Sequence, residues 1–279
     1  MVFSGGLFCR SLTSINLFGN TSDTGPVTSV GFRRVADAIR CHHAGDRIQK
    51  LILSRNTALG DAGMLLLADA LPATVALTHL DISNTGFSDA GLVAIATALG
   101  RTQTMDAAVG QPACRLSDPP VGVLADSISM SCRPSTVAVG ANLTELILYG
   151  NAQAKGPGWR ALAEVLPQLV NLRRLDCRRC AGMGCDGAAA FAAVLPVCTA
   201  LQCLLLARCS IGDRGGQVLA KAFTAIASPE NRQHQSLDSI DASWNRLTGE
   251  CVKAIVNACA RVGWSVEQTP GGFCRGEIK

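Results

Sequence analysis

A curved α/β solenoid, with a parallel sheet on its concave face and helices on its convex face, is the fold class predicted by three features of this sequence. The first is a pattern, L-x-x-L-x-L-x-x-C, set out by Leu172, Leu175, Cys177 and Cys180. It returns at Leu201, Leu204, Leu206 and Cys209, 201 − 172 = 29 residues on. Self-similarity at such a period marks stacked repeats. The second is its recurrence at Leu12/Ile15/Leu17/Asn20, Ile48/Leu51/Leu53/Asn56, Leu77/Leu80/Ile82/Thr85, Leu143/Leu146/Leu148/Asn151 and Leu237/Ile240/Ala242/Asn245. The third is the change from strand period 2 to helix period 3.6 within each unit, seen in DAGMLLLADAL, DAGLVAIATAL, GWRALAEVL and CDGAAAFAAVL.

Taken in order, the first unit starts at 12. Its loop from Thr21 to Val30 is rich in Thr, Ser, Gly and Pro, its helix falls near Phe32 to Ile39, and CHHAGDR leads back to the second strand. Between Leu77 and Leu143 lie 143 − 77 = 66 residues, or 29 + 37, which places a weak copy near Asp106. Its strand, Val109 to Cys114, is poor, but Cys114 to Asp118 followed by Val123-Leu-Ala matches Cys209 to Asp213 followed by Val218-Leu-Ala. About eight repeats are therefore expected, starting near 12, 48, 77, 106, 143, 172, 201 and 237, in one domain spanning 1–279, because the units of such an array contact only their neighbours. Residues 264–279 are expected to cap the far end, with Trp264, Ser265 and Val266 as a short last strand. Met1 to Ser11 is too short for a strand-and-helix cap, so the first edge is expected to be covered by another chain or by residues upstream.

The strand consensus, the period and the helical second halves resemble the ribonuclease-inhibitor-like class of leucine-rich repeats. The resemblance covers Leu12 to about Val262. The class also includes Ran GTPase-activating proteins, innate-immune receptor repeat domains and ciliary proteins. It implies a scaffold whose members do unlike things. The thiol chemistry below leads to the expectation of an intracellular setting, cytoplasmic or cytoskeletal, with cilia and flagella included.

Composition narrows the function classes. A net charge of +4 without a lysine-rich run does not mark a nucleic-acid binder. The odd total of 13 Cys in a long chain points to free thiols at Cys177, Cys180, Cys185, Cys198 and Cys209 rather than a secreted disulfide framework. No apolar run approaches a bilayer span, so no membrane partner is expected. Cys177, Cys180 and Cys185 imitate a zinc knuckle, but Cys177 replaces an inward Leu, Cys180 stands in the column that closes each strand, and no His is near for a fourth ligand. Gly182-Met-Gly184-Cys-Asp-Gly187 imitates a dinucleotide loop, yet the position about 20 residues on, where an acid would hold a ribose, is apolar around Ala207. His42, His43, His79 and His234 form no catalytic arrangement. No catalytic residue, cofactor or metal is expected.

The concave face remains. If the consensus Leu positions point inward, the third, fifth and seventh residues of each unit point out. Together with the eighth position, just past the strand, they gather Tyr149, Arg174, Asp176, Arg178, Arg179, Arg208, Asp241 and Trp244 on the second half of the array. Tyr, Trp and Arg are over-represented among interface hot spots. The expected function is a non-catalytic protein-protein interaction scaffold or recognition subunit of a larger assembly, binding a protein through these eight residues. Two alternatives stand beside it: a Ran-type GTPase-activating protein, and an RNA-contacting subunit of a ribonucleoprotein.

Overall fold

The computed structural model describes residues 12–19, 27–41, 45–105, 135–226, 228, 236–261, 265–269 and 273–277. In chain order the elements are β1 (Ser14–Asn16), α1 (Ser29–Cys41), β2 (Lys50–Ile52), α2 (Gly60–Ala70), β3 (His79–Asp81) and α3 (Asp89–Gly100). The hairpin strands β4 (Thr102–Met105) and β5 (Ser135–Ala138) follow. After them come β6 (Glu145–Ile147), α4 (Gly156–Val165), β7 (Arg174–Asp176), α5 (Gly184–Val194), β8 (Cys203–Leu205), α6 (Asp213–Ile226), β9 (Ser239–Asp241), α7 (Gly249–Arg261), β10 (Ser265–Thr269) and β11 (Phe273–Glu277).

One open sheet carries the strands in the order β1-β2-β3-β6-β7-β8-β9-β11-β10. The first seven are parallel and in identical register, so that Leu51, Leu80, Leu146, Leu175, Leu204 and Ile240 form one inward row. That row and the next, Leu53, Ile82, Leu148, Cys177 and Leu206, are fully buried apart from Ile240 at 4% exposure. The helices supply the opposing layer with Phe32, Met64, Leu67, Ile95, Trp159, Leu162, Phe191 and Phe223. Trp159 meets Phe191 edge to face, with ring centroids 6.0 Å apart. The fold is a leucine-rich-repeat solenoid in which each unit buries its apolar side only by stacking on its neighbours.

Among the described residues seven parallel repeat strands and seven α-helices stand close to the eight units expected. The difference falls at 106. Leu80 of β3 lies directly opposite Leu146 of β6, which leaves no place for a strand between them. The extra residues instead leave after α3 and come back to the same spot. β4 and β5 pair antiparallel in a separate two-stranded sheet, the Val139 N–H donates to Arg101 O at 2.8 Å, and the Gly140 N–H donates to Leu99 O at 3.0 Å. As sequence, Gly110 and Pro112 disfavour a ladder strand over 109–114, since Gly has no side chain to pack and Pro no N–H to donate. That stretch lies outside the described residues.

At the far end β11, not Trp264 to Val266, pairs with β9. It runs antiparallel, with Gly276 opposite Ile240, and β10 is the outermost strand. The expectation about Met1 to Ser11 lies outside the described residues. Among the described residues no helix is long and apolar enough to cross a membrane.

Two sets of side chains join unit to unit. In the closing column Asn151 donates to Ile82 O and Leu148 O, and its Oδ1 accepts the N–H groups of Thr85 and Gly86. Asn245 repeats all four roles toward Leu206, Ala242, Cys209 and Ile211. Cys180 and Cys209 occupy the same column and donate S–H to Leu148 O and Cys177 O of the preceding unit. On the helix side an Asp at the start of one helix caps the next. Asp61 accepts from Ser88 N, Ser88 Oγ and Gly91 N, Asp89 from the N–H groups of Lys155 and Gly158, and Asp213 from Thr248 N. Each binds orphan N–H groups that a helix start leaves open.

Candidate protein-binding site

The concave face is built from the positions between the buried rows. Strand register places Lys50, His79, Glu145, Arg174, Cys203 and Ser239 in one outward row, and Ile52, Asp81, Ile147, Asp176, Leu205 and Asp241 in the next. In the second row acidic and aliphatic residues alternate strand by strand. An aliphatic residue between two carboxylates keeps them two strand spacings, about 9.6 Å, apart. Three of these carboxylates also shape the backbone: Asp81, Asp176 and Asp241 each accept the N–H two residues on, at 3.0, 3.2 and 3.0 Å. Such Asx turns bend the chain out of the strand.

With or without an Asx turn, the eighth position of each of the seven described units is in left-handed backbone. Gly19, Arg55, Asn84, Gly150, Arg179, Arg208 and Trp244 all have φ between 49° and 77°. For a residue with a side chain that conformation costs about 1–2 kcal/mol. Glycine fills it in two units, whereas Arg or Trp fills it in four. The conformation is held because the N–H at this position donates to the seventh-position carbonyl of the next strand: Arg179 to Ala207 O at 2.8 Å and Arg208 to Ser243 O at 2.9 Å. A strained position occupied by a large polar side chain is where function is sought first.

All eight expected residues lie on β6 to β9 or the turns just after them, and they divide into two kinds. Asp176, 2% exposed, takes a bidentate pair from Arg178, with Nε to Oδ1 at 2.9 Å and Nη2 to Oδ2 at 2.6 Å. Arg174 approaches the same carboxylate at 3.9 Å and donates to the Cys203 sulfur at 3.7 Å. The hydrogen bonds from Arg178 to Asp176 raise the guanidinium's pKa against the opposing effect of burial, and Asp241 adds to the rise through space. Arg174, Asp176 and Arg178 thus form an internal charge cluster. Asp241 serves its own turn and has no ion pair among the described residues.

Arg179 and Arg208 differ from these. Both are exposed, and neither has an ion pair among the described residues. The Arg179 guanidinium lies over the Tyr149 ring at 5.6 Å from its centroid, with Arg178 at 5.7 Å, and that of Arg208 lies over Trp244 at 5.0 Å. Trp244 is 56% exposed. A guanidinium stacked on a ring keeps all its N–H donors in the plane and gains about 0.5–1 kcal/mol at an exposed site. A third pair, Arg55 over Phe18 at 5.2 Å, was missed by the sequence reading. Its signal was available: Phe18 and Tyr149 both hold the seventh position, and Arg55 and Arg179 the eighth position of the next unit. Also missed was an open groove at the start of the strands, lined by Glu145, Arg173, Arg174, Gln202, Cys203 and Asp238.

The decoys have structural roles. Cys177, Cys180, Cys185, Cys198 and Cys209 are free thiols. Burial pushes Cys177 and Cys209 well up, Cys180 up to about 12 and Cys198 to about 11, which keeps them protonated as packing groups and S–H donors. A Cβ on Gly182 would lie 2.2 Å from Ala154 O, Gly184 has φ +55°, and a Cβ on Gly187 would lie 3.0 Å from Trp159 Cβ, so each glycine of that loop is used by the fold.

The profile described as "Leucine Rich repeat" matches residues 77–96 and 197–220. No curated protein matches the sequence. A chain in the crystal structure of a Rad7 and Elc1 complex in yeast aligns over 94% of this chain and 67% of its own length, at 11% identity and a TM-score of 0.32. A likeness at that level carries nothing about function. The repeated strand pattern, the parallel sheet it builds and the two matched segments agree on a leucine-rich-repeat solenoid fold.

Proposed function

We propose that this protein is a non-catalytic recognition subunit that binds a protein partner on its concave face, across the turns that follow β6 to β9. The observation that carries the reading is the pairing of exposed guanidinium groups with aromatic rings at strained turn positions, on a scaffold whose strands are locked in register. Such groups bury large area, retain hydrogen-bonding capacity and lose little freedom when a partner arrives. Tyr149 and Trp244 supply the apolar anchors, and Arg174, Arg178, Arg179 and Arg208 the polar ones, with Asp176 and Asp241 holding the turns. Because neighbouring strands share one hydrogen-bonded register, the partner meets a preformed surface.

The test is affinity capture with the tagged full chain, followed by mass spectrometry, comparing wild type with Tyr149→Ala/Trp244→Ala. Loss of the captured partners is expected, on the order of 2 kcal/mol for each hot-spot ring, with the circular dichroism spectrum unchanged. Capture of the same proteins at the same strength by the double variant would overturn the reading.

A further inference from the structure

The concave arginines are not equivalent, and the difference points to what the partner presents. Arg178 and Arg174 have their charge answered inside the protein by Asp176. Arg179 and Arg208 do not: each is exposed, stacked on a ring and without an ion pair among the described residues. They occupy the same position of two adjacent units, β7 and β8, and the Arg179 N–H is hydrogen-bonded to the carbonyl of Ala207, the residue just before Arg208. Their Cα atoms are thereby set about one strand spacing, roughly 4.8 Å, apart. The ring lies to one side of each guanidinium, and the N–H donors of both groups make no hydrogen bond to the described residues, which leaves them to grip a carboxylate in bidentate fashion.

We propose that Arg179 and Arg208 form a site for an acidic segment of a partner protein, one whose neighbouring Asp or Glu carboxylates lie about a strand spacing apart. This rests on the concave-face reading and makes it specific. Charge complementarity supports a short acidic segment over a long polyanion. Two unanswered guanidinium groups sit at the edge of a face that also carries Asp81 and Asp241, neither in an ion pair among the described residues, and these carboxylates would repel a nucleic-acid backbone laid along the sheet. Trp244, exposed beside Arg208, gives the same segment an apolar contact. Acidic residues three or four apart on a helix have Cβ atoms about 5–6 Å from each other, which fits the spacing of the two arginine positions.

The test uses the full chain and a fluorescein-labelled peptide of eight Glu residues, with fluorescence anisotropy as the readout. A single-stranded oligo(dT) of eight nucleotides serves as the competing polyanion. Wild type is expected to bind the peptide, more weakly as salt rises, and Arg179→Gln/Arg208→Gln to bind it at least tenfold more weakly. Arg160→Gln, on the exposed side of α4, should change binding less than twofold. The proposal is overturned if wild type does not bind the peptide, if the Gln pair binds it as wild type does, or if oligo(dT) binds more tightly than the peptide and is lost in the same variant. Lost peptide binding together with an altered circular dichroism spectrum in the Gln pair would be resolved by Arg179→Lys/Arg208→Lys. That pair keeps the charge and should restore binding to within about fivefold, and its failure to do so also counts against the site. Partner capture separates this proposal from its parent. If Tyr149→Ala/Trp244→Ala loses its partners while Arg179→Gln/Arg208→Gln keeps them, the concave face stands and the acidic segment falls.

Discussion

Two junctions of the array are built on the same template and fastened in opposite ways. Between β3/α3 and β6/α4 the chain departs on a long excursion, residues 101–144, before the next strand begins. Between β7/α5 and β8/α6 it needs only residues 195–202. Yet the interrupted junction has the fuller set of side-chain bonds. Asn151 makes four hydrogen bonds across and around it, and Asp89 caps the next helix with two. The continuous junction has Cys209 with its S–H to Cys177 O, and an ion pair, Arg214 to Asp186, whose side chains are 77% and 61% exposed. Closing 44 residues rather than 8 costs about 1.5 kcal/mol more if the excursion is a free chain. The junction that bears this entropy also holds the bonds that offset it. Where the chain itself tethers the units closely, thiols and a solvated ion pair suffice, and that same stretch of sheet carries the exposed Arg and aromatic surface.

The largest expected effect comes from removing the fastener. Asn151→Ala orphans buried N–H and C=O groups and should destabilise the protein by about 3 kcal/mol. Cys209→Ala gives up one weak donor and a small volume, about 1 kcal/mol. Urea denaturation of the two variants measures both, and equal losses would break the comparison.

Replacing residues 103–137 by a short turn should leave the sheet order intact. It should raise stability by less than about 1.5 kcal/mol, because the gain in loop-closure entropy is partly offset by the lost β4–β5 ladder. A fall in the denaturation midpoint would mean that the excursion contributes contacts of its own.

The helix-side caps give the smallest contrast. Burial pushes the Asp61 carboxyl up, but hydrogen bonds from the Ser88 hydroxyl, the Ser88 N–H and the Gly91 N–H outweigh it, and its pKa ends below the ordinary value. A carboxylate lowered in the folded state adds stability above its unfolded pKa, and that stability is lost as pH falls through the folded pKa, below about pH 4. Asp61→Asn should therefore cost about 1 kcal/mol at pH 7 and progressively less in acid. Asp186→Asn, whose ion pair is solvated, should cost less than about 0.5 kcal/mol at any pH. Stability measured against pH for the two variants checks the sign as well as the size.

What the sequence determined by itself was whatever depends on period. The L-x-x-L-x-L spacing dictates which residues face the core, because strand alternation allows only one set inward, and the 29-residue return dictates that units stack. The membership of the candidate site followed too: Tyr149, Arg179, Arg208 and Trp244 were placed on one face by counting alone. Only tertiary structure decided how those residues divide. Arg178 and Arg179 are neighbours in sequence and alike in type, yet one is bound by a carboxylate two residues back while the other turns out on left-handed backbone to stack on a ring one strand away. The fate of the 37 residues beyond one repeat was equally hidden. A local pattern at 114–125 copies a good repeat, but membership of a sheet depends on whether its neighbours leave an edge, and among the described residues β3 pairs directly with β6. Period is a property of the chain, whereas pairing is a competition between distant segments for the same hydrogen bonds.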